Sequence, residues 1–91
     1  MSTQTHRKEF IINNEYGLHA RPAALLVKCA SGFDAVIMVE KDGMSVSGKS
    51  IMGLLTLEGH QGSTLVLEVS GAQADEAMAA LTELFESNFG E

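Results

Sequence analysis

The run Gly17-Leu18-His19-Ala20-Arg21-Pro22 sets a possible nucleophile, His19, close to a fixed cation, Arg21. Pro22 has no backbone N–H and a φ that is already helical, so it belongs in the first turn of a helix. Downstream, Ala23, Leu26, Val27 and Ala30 carry the apolar spacing of one helical face. Gly17 suits a chain that turns sharply out of a strand. His19 is therefore expected near the N-cap, beside backbone N–H groups that have no partner within the helix. The positive end of the helix dipole lies there too, which makes an anion site.

The chemistry follows from the electrostatics. A positive helix end disfavours imidazolium, so the neutral, nucleophilic ring of His19 is expected near pH 7. Attack on a phosphorus donor would place a dianionic group where helix N–H donors and Arg21 can meet it. The planar guanidinium fork suits phosphate oxygens. The expected product is a phosphohistidine at His19. The plain alternative is a histidine that serves only as a cap or turn residue. Gly17, His19, Arg21 and Pro22 each fill a different physical role, which favours the chemistry.

Two blocks, Gly17-Leu18-His19-Ala20-Arg21-Pro22-Ala23 and Gly48-Lys49-Ser50-Ile51-Met52-Gly53-Leu54-Leu55, together resemble HPr. HPr is the histidine-containing phosphocarrier family of the bacterial phosphoenolpyruvate:sugar phosphotransferase system. The resemblance extends from about Lys8 to the C-terminus. It implies a carrier rather than an enzyme, with no cofactor, located in the cytoplasm. Such a carrier takes a phosphoryl group on His19 from phospho-enzyme I and gives it to IIA domains. Ala20 and Arg21 would hold the phosphoryl group. Ala20, Ala24, Ile51, Met52 and Leu55 match positions with which HPr meets its donor and acceptors.

Ser50 has two readings. It can cap the short helix that follows, worth about 1 kcal/mol. The resemblance adds that some bacteria phosphorylate the matching serine with an ATP-dependent HPr kinase/phosphorylase. Phosphate at a helix N-terminus is tolerated, so that modification would act on docking by repelling an acidic partner near His19. Within the same helix Leu54 and Leu57 are expected to face the core. Ile51 and Leu55, with Met52 beside them, form a second face suited to partners.

Some residues depart from the family pattern. Tyr16 stands where a small polar residue often lies near the histidine. The segment Phe85-Glu86-Ser87-Asn88-Phe89 resembles the C-terminus of NPr, a nitrogen-related paralogue with the same histidine chemistry in a regulatory relay. An NPr-like regulatory carrier is thus the alternative reading. Crh-like regulators lack the active histidine, so His19 argues against that version. A hydrolase has no candidate base or metal site to activate water. His6, His19 and His60 lack metal-ligand spacing, so no metal is expected.

Composition fits a small carrier. The chain has 91 residues, 45% of them hydrophobic and 20% charged, which suits one globular domain, 1–91, with residues 1–7 frayed. No apolar run reaches the ~20 residues of a membrane span, and the N-terminus lacks the apolar segment of a signal peptide. A net charge of −6 with only six Lys and Arg gives nucleic-acid binding little support. Lys28 and Lys49 are expected to join Arg21 in a basic rim around His19 that docks acidic partners. A monomer is expected, and Cys29 reads as a reduced, packed thiol.

The elements that must position these residues run βαββαβα. Strands are expected over 8–13, 35–40, 44–47 and 64–69. Helices are expected over 20–31, ending at Gly32 as C′, then 50–57, and 72–88. Lys41-Asp42-Gly43 signals a tight hairpin turn. The α+β arrangement that buries one core is an open-faced β-sandwich, a four-stranded antiparallel sheet covered on one face by helices.

Overall fold

A computed structural model describes residues 5–90. Its elements run β1 (Thr5–Ile11), α1 (Ala20–Ala30), β2 (Val36–Lys41), β3 (Met44–Ser47), α2 (Ile51–Thr56), β4 (Thr64–Ser70) and α3 (Ala74–Glu86), followed by a tight turn, Asn88–Gly90. The strands form one antiparallel sheet in the order β1-β4-β2-β3. The expected α+β open-faced sandwich is the fold observed.

Alternation within the strands decides which face is covered. Leu65, Leu67 and Val69 of β4 and Ile37 and Val39 of β2 are buried, while Val36, Thr64 and Glu68 between them are exposed. Opposite that apolar face lie Ala23, Leu26 and Ala30 of α1, Leu54 of α2, and Ala77, Leu81 and Phe85 of α3, all in one core cluster. Each fully buried large aliphatic side chain contributes roughly 1.5–3 kcal/mol, so this shared cluster is what fixes the helices over the sheet. Between β2 and β3, Asp42 and Gly43 both take positive φ, 52° and 83°, the backbone of a type I′ hairpin turn.

The boundaries differ from the sequence expectation in several places. Residues 5–7 are not frayed: Thr5, Arg7 and the residues between pair with Ser70 to Glu68 of β4. Residues 1–4 of that expected frayed segment lie outside the described residues. β1 ends at Ile11 because Ile12 leaves the ladder to bond Ser63 and Gly62. The third helix starts at Ala74, not Ala72, because Gln73 is held by Asp34: its N–H donates to Asp34 O (2.9 Å) and its Oε1 accepts from Asp34 N (2.7 Å). It stops at Glu86, not Asn88, because Asn88 and Phe89 take left-handed φ values of 53° and 57°. That bend drives Phe89 into the core against Phe85, which stacks in turn on Phe10. Gly32 follows the Ser31 cap of α1 without a positive φ, so it does not act as the expected left-handed terminator.

Candidate functional site

The segment between β1 and α1 is tied at both ends to the loop before β4. Ile12 N–H donates to Ser63 O (2.9 Å), and Ile12 O accepts from Gly62 N–H (2.8 Å). Gln61 Nε2 reaches Asn13 O at 3.0 Å. Leu18, itself buried, donates its N–H to Gly59 O at 2.9 Å. Gly17 is required twice over. Its φ is +69°, and a Cβ there would lie 2.5 Å from Gly59 O and 2.6 Å from His60 Cα.

This scaffold delivers His19 to the N-cap of α1 in an extended backbone, φ −91° and ψ −167°. Its carbonyl accepts the Ala23 N–H at 3.0 Å, which starts the helix. Its imidazole makes no side-chain capping hydrogen bond. The first turn of α1 holds no acidic residue, and the positive helix end is left uncompensated from within the helix. The Tyr16 ring stands edge-on to the imidazole, 6.0 Å between centroids and 88° between planes. His19 and Arg21 line one open depression of about 740 Å³, together with Asn13, Asn14, Glu15, Tyr16, Gln61 and Asn88. Such a depression can take a small anion between a ring nitrogen, a guanidinium and helix N–H donors.

The other expected site residues divide into three groups. Ala20 and Ala24 are exposed on α1, and Ile51 and Met52 are exposed on the neighbouring α2, at 41% and 74%. Leu55 is half-buried against the core, so it adds less to that surface than Ile51 or Met52. Leu54 and Leu57 are buried as expected. Ser50 is the N-cap of α2, and its Oγ accepts the Gly53 N–H at 3.0 Å.

Lys28 and Lys49 do not form a rim around His19. Lys28 lies in the last turn of α1, nine residues beyond His19, a rise of about 13 Å at 1.5 Å per residue. Lys49 Nζ donates to Phe33 O at 3.1 Å, also past the C-terminal end of α1. Both cations sit where the helix dipole is negative, which favours them there. Arg21 is the cation that shares the depression with His19.

Asn14, Gln61 and Asn88 were not foreseen as site residues. Short polar side chains in loops read as solvated, and nothing in their spacing signals otherwise. Asn14 is in fact only 4% exposed. His60 stays exposed, with Nδ1 3.4 Å from Glu58 O. Burial pushes the Cys29 thiol up from its ordinary pKa, as suits a packed side chain.

Comparison with known proteins bears on this geometry. The family model described as the PTS HPr component phosphorylation site matches residues 6–87. The chain belongs to the HPr family. The HPr phosphocarrier of Treponema pallidum is 45% identical over 78 residues, covering 86% of this chain and 89% of its own. That of Neisseria meningitidis serogroup A is 45% identical over 80 residues, covering 88% and 90%. The HPr structure from Thermoanaerobacter tengcongensis superposes with a TM-score of 0.91 at 48% identity, covering 94% of this chain and 97% of that one. As a member of the HPr family, this chain is a phosphocarrier of the phosphotransferase system. Among the described residues, no helix is long and apolar enough to cross a membrane.

Proposed function

We propose that His19 is the phosphoryl carrier of this chain, loaded by phospho-enzyme I and discharged to IIA domains of the sugar system. The observation that carries this reading is an N-cap histidine whose ring is not used for capping and which shares a depression with Arg21. The lone pair of a ring nitrogen attacks phosphorus, and a P–N bond forms as the bond from phosphorus to the donor breaks. The acceptor then attacks the same phosphorus, and the P–N bond at His19 breaks. Arg21 and the N–H groups of the first turn, that of Ala20 included, hold the phosphoryl oxygens in both steps.

Partners dock on the exposed side chains next to that start: Ala20 and Ala24 on α1, and Ile51, Met52 and the free edge of Leu55 on α2. Lys28 and Lys49 extend the same docking zone toward the far end of α1 as contacts for acidic surfaces. Ser50 is the regulatory position, modified by an HPr kinase/phosphorylase where one is present. The domain acts in the cytoplasm as a monomer, without a cofactor. The relative described as an HPr dimer from T. tengcongensis makes oligomeric state worth measuring alongside.

The NPr-like alternative rests on the segment 85–89, whose Phe85 stacks on Phe10 and whose Phe89 meets Phe85 edge-on. Phosphoryl transfer from the loaded chain to a sugar-system IIA, and not to a nitrogen-related acceptor, separates the two. The primary test is incubation with phosphoenolpyruvate and enzyme I of the source organism, followed by intact-mass and site mapping. One acid-labile phosphate on His19 is expected. No transfer from any enzyme I of that organism overturns the reading.

A further inference from the structure

Asn14 is the buried polar residue of the site, and its interactions all concern the backbone that precedes His19. Its Nδ2 donates to Gly17 O at 2.7 Å, and its main-chain carbonyl accepts the Gly17 N–H at 3.2 Å. One residue thus grips both polar groups of Gly17, the residue whose left-handed φ turns the chain toward the helix. From Gly17, two peptide units reach His19. The first of them is pinned by the Leu18 N–H bond to Gly59 O.

The amide is only half used. Because Nδ2 must face the Gly17 carbonyl, the orientation of the group is determined, and Oδ1 is committed to the other direction. Oδ1 is buried and has no hydrogen-bond partner among the described residues. A buried acceptor without a donor is costly, and an apolar side chain of similar size would avoid that cost. Asn14 also lines the depression that His19 and Arg21 share. An acceptor there cannot bind a phosphoryl oxygen, which is itself an acceptor. It can receive an N–H.

We propose that Asn14 is a positioning residue for phosphoryl transfer, clamping the turn that aims His19 and offering Oδ1 to an N–H donor of the phosphorylated site. The inference rests on His19 being the carrier. Two properties follow. Loss of the clamp lets the imidazole sample more orientations, so the chemical step slows while the docking surface is unchanged. Loading of His19 changes the hydrogen bonding of the Asn14 side chain, although that side chain does not touch phosphorus.

The test uses the full chain with Asn14→Asp, which keeps the shape and an acceptor but loses the donor to Gly17 O, and Asn14→Ala, which loses both. Rapid-quench phosphorylation by enzyme I is expected to show kcat lowered about tenfold in both, with KM within twofold of wild type. The Asn14 side-chain NH₂ resonances of the wild type, followed by NMR, are expected to shift when His19 is loaded. Thermal melting identifies any variant that has failed to fold, and the wild-type NMR measurement stands independently of the variants. Unchanged kcat in folded variants, a defect in KM alone, or no shift of the Asn14 resonances on loading each overturns the proposal. Absence of loading in the wild type instead overturns the carrier reading beneath it.

Discussion

The starts of α1 and α2 are built alike in the backbone and used differently in the side chain. His19 and Ser50 are both extended N-caps, and each carbonyl accepts the fourth N–H along, from Ala23 and from Leu54, at 3.0 Å. Ser50 then turns its Oγ onto the Gly53 N–H, whereas the His19 ring makes no such bond. The reason lies in what else holds each helix. α1 buries Pro22, Ala23, Leu26 and Ala30, while α2 has six residues and buries Leu54 alone. A helix anchored by several core side chains can forgo a cap worth about 1 kcal/mol. A helix of under two turns cannot do so as easily. The capped start is explained by stability, and the uncapped start is the one the proposed chemistry uses.

The sharpest way to break this contrast is His19→Ala. Phosphorylation should be abolished with the melting temperature nearly unchanged, because the ring contributes no cap to α1. A large loss of cooperative unfolding would make His19 a structural residue after all. Arg21→Ala comes next. It removes charge stabilisation but leaves the accepting nitrogen, so transfer should slow by about 10- to 100-fold. Arg21→Lys should recover part of that rate, since charge returns without the fork. Wild-type kinetics in both variants would show that helix N–H groups suffice.

Gly17→Ala probes the turn that delivers the uncapped start. A left-handed non-glycine residue costs on the order of 1–3 kcal/mol, and the added Cβ would meet Gly59 O at 2.5 Å. Both stability, by denaturant titration, and transfer rate should fall. A variant as stable as wild type would mean that the turn is more tolerant than its geometry states. The smallest effects belong to the capped start. Ser50→Ala should lose about 1 kcal/mol of stability, whereas Ser50→Asp should keep the cap and weaken enzyme I binding, more so at low salt. Ile51→Glu should weaken the same binding by loss of apolar contact, with less dependence on salt. Wild-type affinity in both Ser50→Asp and Ile51→Glu would remove α2 from the interface.

The first of these two starts was more legible than its surroundings. Pro22, the apolar spacing of α1 and Gly17 are neighbours in the chain, so the N-cap position of His19 could be read locally. The Ser50 cap was readable for the same reason. The rim expected of Lys28 and Lys49 did not form around His19, because both cations fall toward the C-terminal end of α1. Asn14 escaped notice because a polar loop residue reveals its burial only in the folded chain. The two ends of α3 were missed for a similar reason. The Gln73–Asp34 pair spans 39 positions, and Phe89 turns inward onto Phe85, which stacks on Phe10 from the other end of the chain.

The sequence by itself determined the short-range geometry: a histidine at a helix start, an arginine two residues on, a serine cap, and a turn at Asp42-Gly43. Those features depend on the covalent and steric properties of residues a few positions apart. The tertiary structure alone decided the strand order β1-β4-β2-β3, the meeting of Gly17 with Gly59, the burial of Asn14 and the depression that His19 shares with Gln61 and Asn88. Each joins segments distant along the chain. Such contacts form only when packing of the common core outweighs the conformational entropy lost in bringing those segments together.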